Sequence, residues 1–406
     1  MAFNYIERSL EPVLRRAASE FPAVVLTGPR QSGKTTILKR LFAESHGYVT
    51  MDFPDVRAAA IADPRGFLAA NPPPIIIDEI QFAPDLLHYI KAHIDERRSE
   101  RGMFLLTGSQ NLALTEQVTE SLAGRTAMLK LLPLTHSEAA GFPDAMLPWE
   151  THNPQVHSTR AHIDLWQDLI RGFYPELVSE PNRDFNLWHN AYIQNYLERD
   201  VRTLRQVGDL AQFQLFFRAL AARCGQLLNL TSLARDMGIA VNTAKHWLSV
   251  LEATFQIVIL RPYFDNMGKR LVKTPKVYFM DTGTLCSITG LKNPQHAADG
   301  PMGGVIFENV VVTEIYKRLL HRGDTPQIYF WRTTYGVEVD ILLEFEGKLI
   351  PVEVKKTGTP KPKMAGGIKT LFENFGDRIQ KGFVIHTGDV QLPLAPKITA
   401  LPFGEL

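Results

Sequence analysis

A chain of 406 residues exceeds one ordinary hydrophobic core and fits two or three domains. Its 45% hydrophobic, 21% charged and 10% aromatic residues match folded globular proteins and exclude disordered and fibrous classes. With 44 Lys and Arg against 43 Asp and Glu, net charge gives no sign of a nucleic-acid partner, so any basic surface is local.

The first residues, Met1 to Arg8, mix acid and base without an apolar core. No apolar run approaches the roughly 20 residues of a membrane helix, so neither export nor membrane insertion is expected. Cys224 and Cys286, the only cysteines, support neither a disulfide framework nor a cysteine zinc site. A cytoplasmic location is the expectation.

Up to about Gly141, short apolar runs at Ala23–Leu26, Ile75–Ile77, Phe104–Leu106 and Met128–Leu132 alternate with helix-like stretches, the pattern of a parallel α/β sheet. Residues 1–145 form the expected first domain, and the polar stretch Pro143–Thr159 reads as a connector. From His162 to Leu260 the spacing turns helical, as at Leu165, Trp166, Leu169 and Ile170, which defines a middle region over 160–262. Residues 263–406 return to mixed α and β, with strands expected at Lys276–Met280, Gln327–Trp331, Val337–Glu344 and Leu349–Val354 and a helix at Glu308–Leu320. The expected fold class is α/β, a parallel sheet followed by a mostly helical middle and a mixed α and β last third, without internal repeats.

Gly28-Pro29-Arg30-Gln31-Ser32-Gly33-Lys34-Thr35 follows the first strand-like run and matches a P-loop, in which glycines let backbone N–H groups point at phosphate oxygens. Lys34 is expected on the β and γ phosphates of ATP and Thr35 on Mg²⁺, with Thr36 opening a helix whose N-terminal dipole faces the nucleotide. Pro74-Ile-Ile-Ile-Asp78-Glu79 has the form of a Walker B strand: Asp78 holds Mg²⁺ through water, and Glu79 orients or deprotonates the attacking water. Thr107 and Ser109 end the third apolar run and suit a γ-phosphate sensor, though an ordinary strand-to-loop turn reads the same way. Arg125 in Ser121-Leu-Ala-Gly-Arg125 could reach a neighbouring subunit's phosphates as a finger, or simply be a solvated arginine.

In these strings the chain resembles a bacterial and archaeal family of AAA-type ATPases whose C-terminal region is catalogued as a domain of unknown function. Further strings carry the resemblance: Leu132-Pro-Leu, Arg171-Gly-Phe-Tyr-Pro175, Tyr192 to Asp200, Lys269-Arg-Leu, Pro275 to Gly283, Phe307-Glu308-Asn309, and the late Glu-Val-Asp and Glu-Val-Lys. The resemblance implies an AAA core capable of homo-oligomeric, ring-like assembly, a helical and winged-helix middle, and a small α/β C-terminal domain similar to PD-(D/E)XK nucleases. It also implies that Arg125 is a finger.

Leu230 to Leu251 has helix-turn-helix spacing around Gly238. Asn242, Thr243, Lys245 and His246 on the second helix, with Arg235 on the first, could meet DNA phosphates or base edges. A unit used only for protein contacts has the same pattern. In the last third, Asp340 followed by Glu353-Val-Lys355 has nuclease-like spacing, with Glu308 on the preceding helix and Glu338 beside Asp340. Such carboxylates could hold Mg²⁺ while Lys355 orients water, but alternating strands with one solvated face look alike. Lys356, Lys361 and Lys363 add a local basic patch. Three functions compete: an ATP-driven machine acting on DNA, an ATP-switched assembly or regulatory protein whose C-terminal domain binds a protein partner, and a metal-dependent nuclease gated by ATP.

Overall fold

A computed structural model describes residues 4–108, 118, 121–150, 165–196, 209–263 and 273–406. Ser109, Lys269-Arg-Leu and residues 197–200 of the Tyr192 string lie outside the described residues.

The chain is mixed α and β. Five strands, β1 (Ala23–Thr27), β2 (Gly47–Thr50), β3 (Ile75–Asp78), β4 (Phe104–Gly108) and β5 (Thr126–Lys130), form an all-parallel sheet in the order β2-β3-β4-β1-β5. The near-continuous apolar runs of its central strands follow from burial on both faces, since successive side chains point to opposite sides. Ala23, Val25, Ile75, Ile77, Phe104 and Leu106 face Leu86, Leu87, Ile90 and Ile94 of helix Leu86–Glu96. Val24, Leu26, Ile76 and Leu105 face helices Glu11–Glu20 and Lys34–Phe42 through Leu14, Ile37, Leu38 and Phe42. The expected strand at Met128–Leu132 is shifted: β5 ends at Lys130, and Leu131 leaves the sheet to run beside the phosphate loop.

Helices Leu165–Arg171, Pro175–Ser179, Phe185–Asn195, Leu210–Ala221, Leu230–Asp236 and Val241–Ala253 make up the middle. The helical pattern read as far as Leu260 stops earlier, because the β-branched run Ile257-Val-Ile is strand-forming. This strand, β6 (Ile257–Pro262), enters a second sheet with β7 (Lys276–Phe279), β8 (Ile328–Arg332), β9 (Glu338–Phe345), β10 (Lys348–Lys355), β11 (Gly382–His386), β12 (Leu392–Ala395) and β13 (Ile398–Pro402). Its order is β12-β13-β11-β10-β9-β8-β6-β7. The boundary expected at residue 262 thus falls at the end of a strand that pairs with both β7 and β8.

Helix Gly303–His321 packs through Ile306, Phe307, Val310 and Val311 into the core shared with the middle helices. Helix Gly366–Phe375 covers the other face through Ile368 and Leu371. The outer edge of β7 is closed by a side chain: Asn309, fully buried, accepts from the Phe279 N–H (2.7 Å) and donates to the Phe279 carbonyl (2.8 Å). Two backbone groups that an edge strand would leave open are satisfied in this way.

Candidate active site at the phosphate loop

The carboxyl ends of parallel strands are where an open α/β sheet gathers ligand-binding groups, and the loop 28–35 leaves β1 there. Gly28 has φ +152° and sits against the next segment so closely that an added Cβ would lie 2.1 Å from the Leu131 carbonyl oxygen. Gly33 has φ +95°, the left-handed conformation that glycine adopts freely, and helix Lys34–Phe42 starts directly after it. Inside the loop the Ser32 hydroxyl is buried without a hydrogen-bond partner among the described residues. A buried, unpaired hydroxyl next to a glycine-shaped cradle fits a phosphate ligand. Lys34 is buried, and its ammonium donates to the carbonyls of Gly28 (3.0 Å) and Pro29 (2.8 Å).

β3 and β4 bring the other groups. The Thr35 hydroxyl donates to both oxygens of Asp78, at 2.9 and 3.0 Å. A hydroxyl and a carboxylate thus meet 43 residues apart in sequence, the oxygen donor set that suits Mg²⁺. Thr107, on the strand between β1 and β3, donates to Asp78 and accepts from the Glu79 N–H at 3.1 Å. Glu79 has φ +55°, a left-handed conformation that costs a non-glycine residue about 1–3 kcal/mol and clusters at functional sites. Gln81 donates to its carboxylate.

Sequence reasoning missed Tyr48. It lies on β2, beyond the Walker B strand, and its phenol donates to Asp78 at 3.1 Å. Burial first, and then the Asp78 charge, push that phenol up to about 12, so it remains a donor at physiological pH. Lys39 stands 3.5 Å above the Tyr48 ring, a cation–π contact that holds the ring toward the site.

Arg125 stands elsewhere. Thr126 pairs with Ala23, so Arg125 lies at the opening end of β1, about 16 Å from the phosphate loop by the rise of five residues. It makes a two-pronged ion pair with Asp95, at 2.8 and 3.0 Å. From there it cannot serve the loop of its own chain.

Residues 20–140 match the family described as AAA domain, the segment that holds the loop, Asp78, Thr107 and Arg125. An uncharacterised protein of Mycobacterium tuberculosis and another of Mycobacterium bovis are each 31% identical over 394 residues, 97% of this chain and 82% of theirs. The chain belongs to the same family as these two proteins, and its AAA domain makes it an AAA-type P-loop ATPase. Residues 162–295 and 303–406 of this ATPase match two families described as domains of unknown function (DUF8612 and DUF4143). Among solved structures, the Walker-type ATPase of Pyrococcus abyssi is 16% identical with a TM-score of 0.45, over 70% of this chain and 96% of its own. The Thermotoga maritima RuvB Holliday junction branch migration motor is 16% identical with a TM-score of 0.25, over 66% of this chain and 88% of its own.

Two further groups of polar residues lie outside the ATPase core. In the helix-turn-helix segment, Ala244, Trp247, Leu248 and Leu251 are buried while Asn242 and Lys245 are exposed, and His246 is half-buried with its Nε2 covered. Arg235 is exposed and lies 3.9 Å from Asp236, which Arg223 holds at 2.8 Å.

The C-terminal carboxylates do converge. The antiparallel pairing of β9 with β10, continued one residue past Val352 and Ile341, sets Asp340 opposite Glu353; the Val354 N–H donates to Asp340 at 2.8 Å, and Lys355 reaches Glu353 at 2.5 Å and Asp340 at 3.6 Å. Glu308 enters from helix Gly303–His321. Two residues that the spacing argument missed complete the group: Lys276 reaches Glu308 at 3.1 Å and Glu338 at 2.5 Å, and Tyr278 donates to Glu308 at 2.6 Å. Alternation on β7 gave the signal, since it puts Lys276 and Tyr278 on one face. Burial, and then Asp340, raise Glu353 to about 8 against the pull of Lys355, and the same two causes raise Glu308. Each carboxylate has at least one oxygen held by a cation or an N–H, while Glu353 Oε2 is buried without a hydrogen-bond partner among the described residues, and no set of three His, Cys, Asp or Glu among those residues gathers as metal ligands. This geometry is a cluster of four carboxylates partly neutralised by Lys276, Lys355 and Arg332.

Proposed function

We propose that this ATPase hydrolyses Mg²⁺·ATP to act on DNA, in remodelling, translocation or repair-type processing, as a homo-oligomer. Lys34 meets the β and γ phosphates, the loop N–H groups from Gly28 to Thr36 cradle them, and Thr35 with Asp78 holds the metal. Bound Mg²⁺ supplies charge neutralisation on the phosphate oxygens. Glu79 orients the water, and its αL backbone, tied to Thr107, aims the carboxylate. Thr107 reports the nucleotide state to both acids. Arg125 serves as a finger only across a subunit boundary, because it stands at the far end of β1 from the loop of its own chain. This position supports ring-like assembly.

The DNA reading rests on one observation: the second helix of the helix-turn-helix unit turns Asn242 and Lys245 outward while its apolar face is buried. These are residue types that contact phosphates and base edges. ATP turnover with and without single-stranded, duplex and branched DNA tests it. Faster turnover with at least one DNA is expected; equal turnover and no DNA binding would refute it.

A second reading is favoured by Lys276, which neutralises carboxylates that a nuclease would commit to metal. In it, the nuclease-like fold is a platform for a protein partner and the ATPase is a switch. A stoichiometric partner recovered only in the ATP state, with no DNA affinity, would select this reading.

A further inference from the structure

Arg8 precedes every recognised motif, yet the residue is only 4% exposed and its guanidinium reaches into the phosphate loop. Nη1 donates to the Ser32 carbonyl at 2.9 Å, Nη2 donates to the Leu132 carbonyl at 2.7 Å, and Nε lies 3.2 Å from Glu138. In a planar trans peptide, C=O and N–H point opposite ways. Drawing the Ser32 oxygen toward Arg8 therefore turns the Gly33 N–H away from it, and Gly33 is the loop glycine from which the phosphate-facing helix starts.

The arginine is in turn held from the C-terminal half. Glu138 is fully buried, accepts from the Ser9 and Thr135 N–H groups (2.8 Å each), and lies 3.3 Å from Nδ1 of His321. His321 ends helix Gly303–His321, and its Nε2 accepts from the Leu132 N–H at 3.1 Å. The same face of that helix carries Glu314, which accepts from the N–H groups of His136 (2.6 Å) and Ser137 (3.3 Å), and Lys317, which donates to the Leu134 carbonyl at 3.2 Å. Glu314, Lys317 and His321 are all nearly or fully buried, at i, i+3 and i+7. One helix is thereby bolted to the segment that Arg8 grips.

We propose that Arg8 is a positioning residue for ATP hydrolysis: it sets the Ser32–Gly33 peptide, and Glu138 with His321 makes that setting depend on how the C-terminal domain is seated. The inference rests on hydrolysis at the phosphate loop and not on DNA as the target.

The test compares kcat and KM for ATP, and the thermal midpoint, in full-length wild type, Arg8→Lys, Arg8→Met/Glu138→Gln, His321→Gln and the combination Arg8→Lys/His321→Gln. Arg8→Met/Glu138→Gln removes both buried charges and keeps volume. It is expected to lower the midpoint, because the Ser32 and Leu132 carbonyls and one of the Ser9 and Thr135 N–H groups lose their partners, and, measured well below that midpoint, to lower kcat/KM about 10²-fold, the scale of a misplaced catalytic element. Wild-type kinetics in that variant below its midpoint would mean that Arg8 only fills space, and would overturn the proposal. Should that pair not fold, Arg8→Lys decides: one ammonium faces Glu138 but cannot reach both carbonyls, so about a tenfold fall in kcat/KM, measured well below the midpoint, is expected, and unchanged kinetics refute. His321→Gln touches no loop atom, yet is expected to slow turnover several-fold and to add little to Arg8→Lys. Undiminished multiplication of the two effects would refute the link. Lys34→Ala is the control that separates failures: a wild type no faster than Lys34→Ala undermines hydrolysis itself, whereas an active wild type with unaffected variants undermines Arg8 alone.

Discussion

Lys276→Met tests the C-terminal cluster. The lysine is 3% exposed and bridges Glu308 and Glu338. Glu338 retains Arg332 at 2.6 Å after the substitution, but Glu308 retains only the Tyr278 hydroxyl. One carboxylate is thus stranded rather than two, which sets the loss near the low end of the range for breaking a buried pair, about 3 kcal/mol. Glu308 already titrates above its ordinary 4.5 because of burial and Asp340, and losing Lys276 removes the largest influence holding it down. A group with a raised folded-state pKa favours folding fully below its unfolded value, and that advantage is lost as pH rises through the folded value. The variant's deficit is therefore largest near neutral pH and above, and shrinks as pH falls toward 4.5, by up to about 1.4 kcal/mol per pH unit. Urea denaturation followed by far-UV circular dichroism, on wild type and variant at about pH 8, 7 and 6, measures it. A deficit that is constant or grows on acidification would show that Glu308 is not left charged, and would refute the reasoning.

Glu79→Gln is expected to retain ATP binding, read with a fluorescent nucleotide, while turnover falls about 10²–10³-fold; undiminished turnover removes it from the water-activating role. Arg125→Ala is expected to abolish turnover without weakening nucleotide affinity. Mixing it with Lys34→Ala should restore some turnover if the arginine acts across subunits, and no recovery at any ratio counts against that. Asn309→Leu strands the N–H and carbonyl of Phe279 and is expected to cost about 2–4 kcal/mol in chemical denaturation. A loss below about 0.5 kcal/mol would mean that those groups find other partners.

The ATPase core was legible because its chemistry is written in contiguous strings: a glycine-rich loop and an apolar strand ending in Asp78-Glu79. Tyr48 was not, because a lone tyrosine on a four-residue strand carries no pattern; only the adjacency of β2 and β3 turns it on Asp78. Arg8 was hidden for the same reason. β6 was read as helix because it follows Val241–Ala253 with no proline or glycine to mark the change. The Arg171–Pro175 and Pro275–Gly283 strings, visible as family motifs, meet in space: an added Cβ on Gly172 would lie 2.6 Å from Asp281, and one on Gly283 would lie 2.4 Å from His189. Close backbone approach explains the glycines there, and distance in sequence concealed it. Glu314, Lys317 and His321 broke the apolar pattern of their helix, a signal that could have flagged a buried polar seam.

The strand β6 has a practical meaning for anyone who wants to take this protein apart. The segment that matches a recognised family at 303–406 starts after β6 and β7 have been left behind. Cut there, β8 would lose its neighbour β6 and show a bare row of amide and carbonyl groups to any other chain, which makes the fragment a seed for aggregation. A cut that respects the hydrogen bonds would begin before helix Leu210–Ala221 and carry the helix-turn-helix with it. What sequence comparison divides into modules, the sheet inherits as one piece.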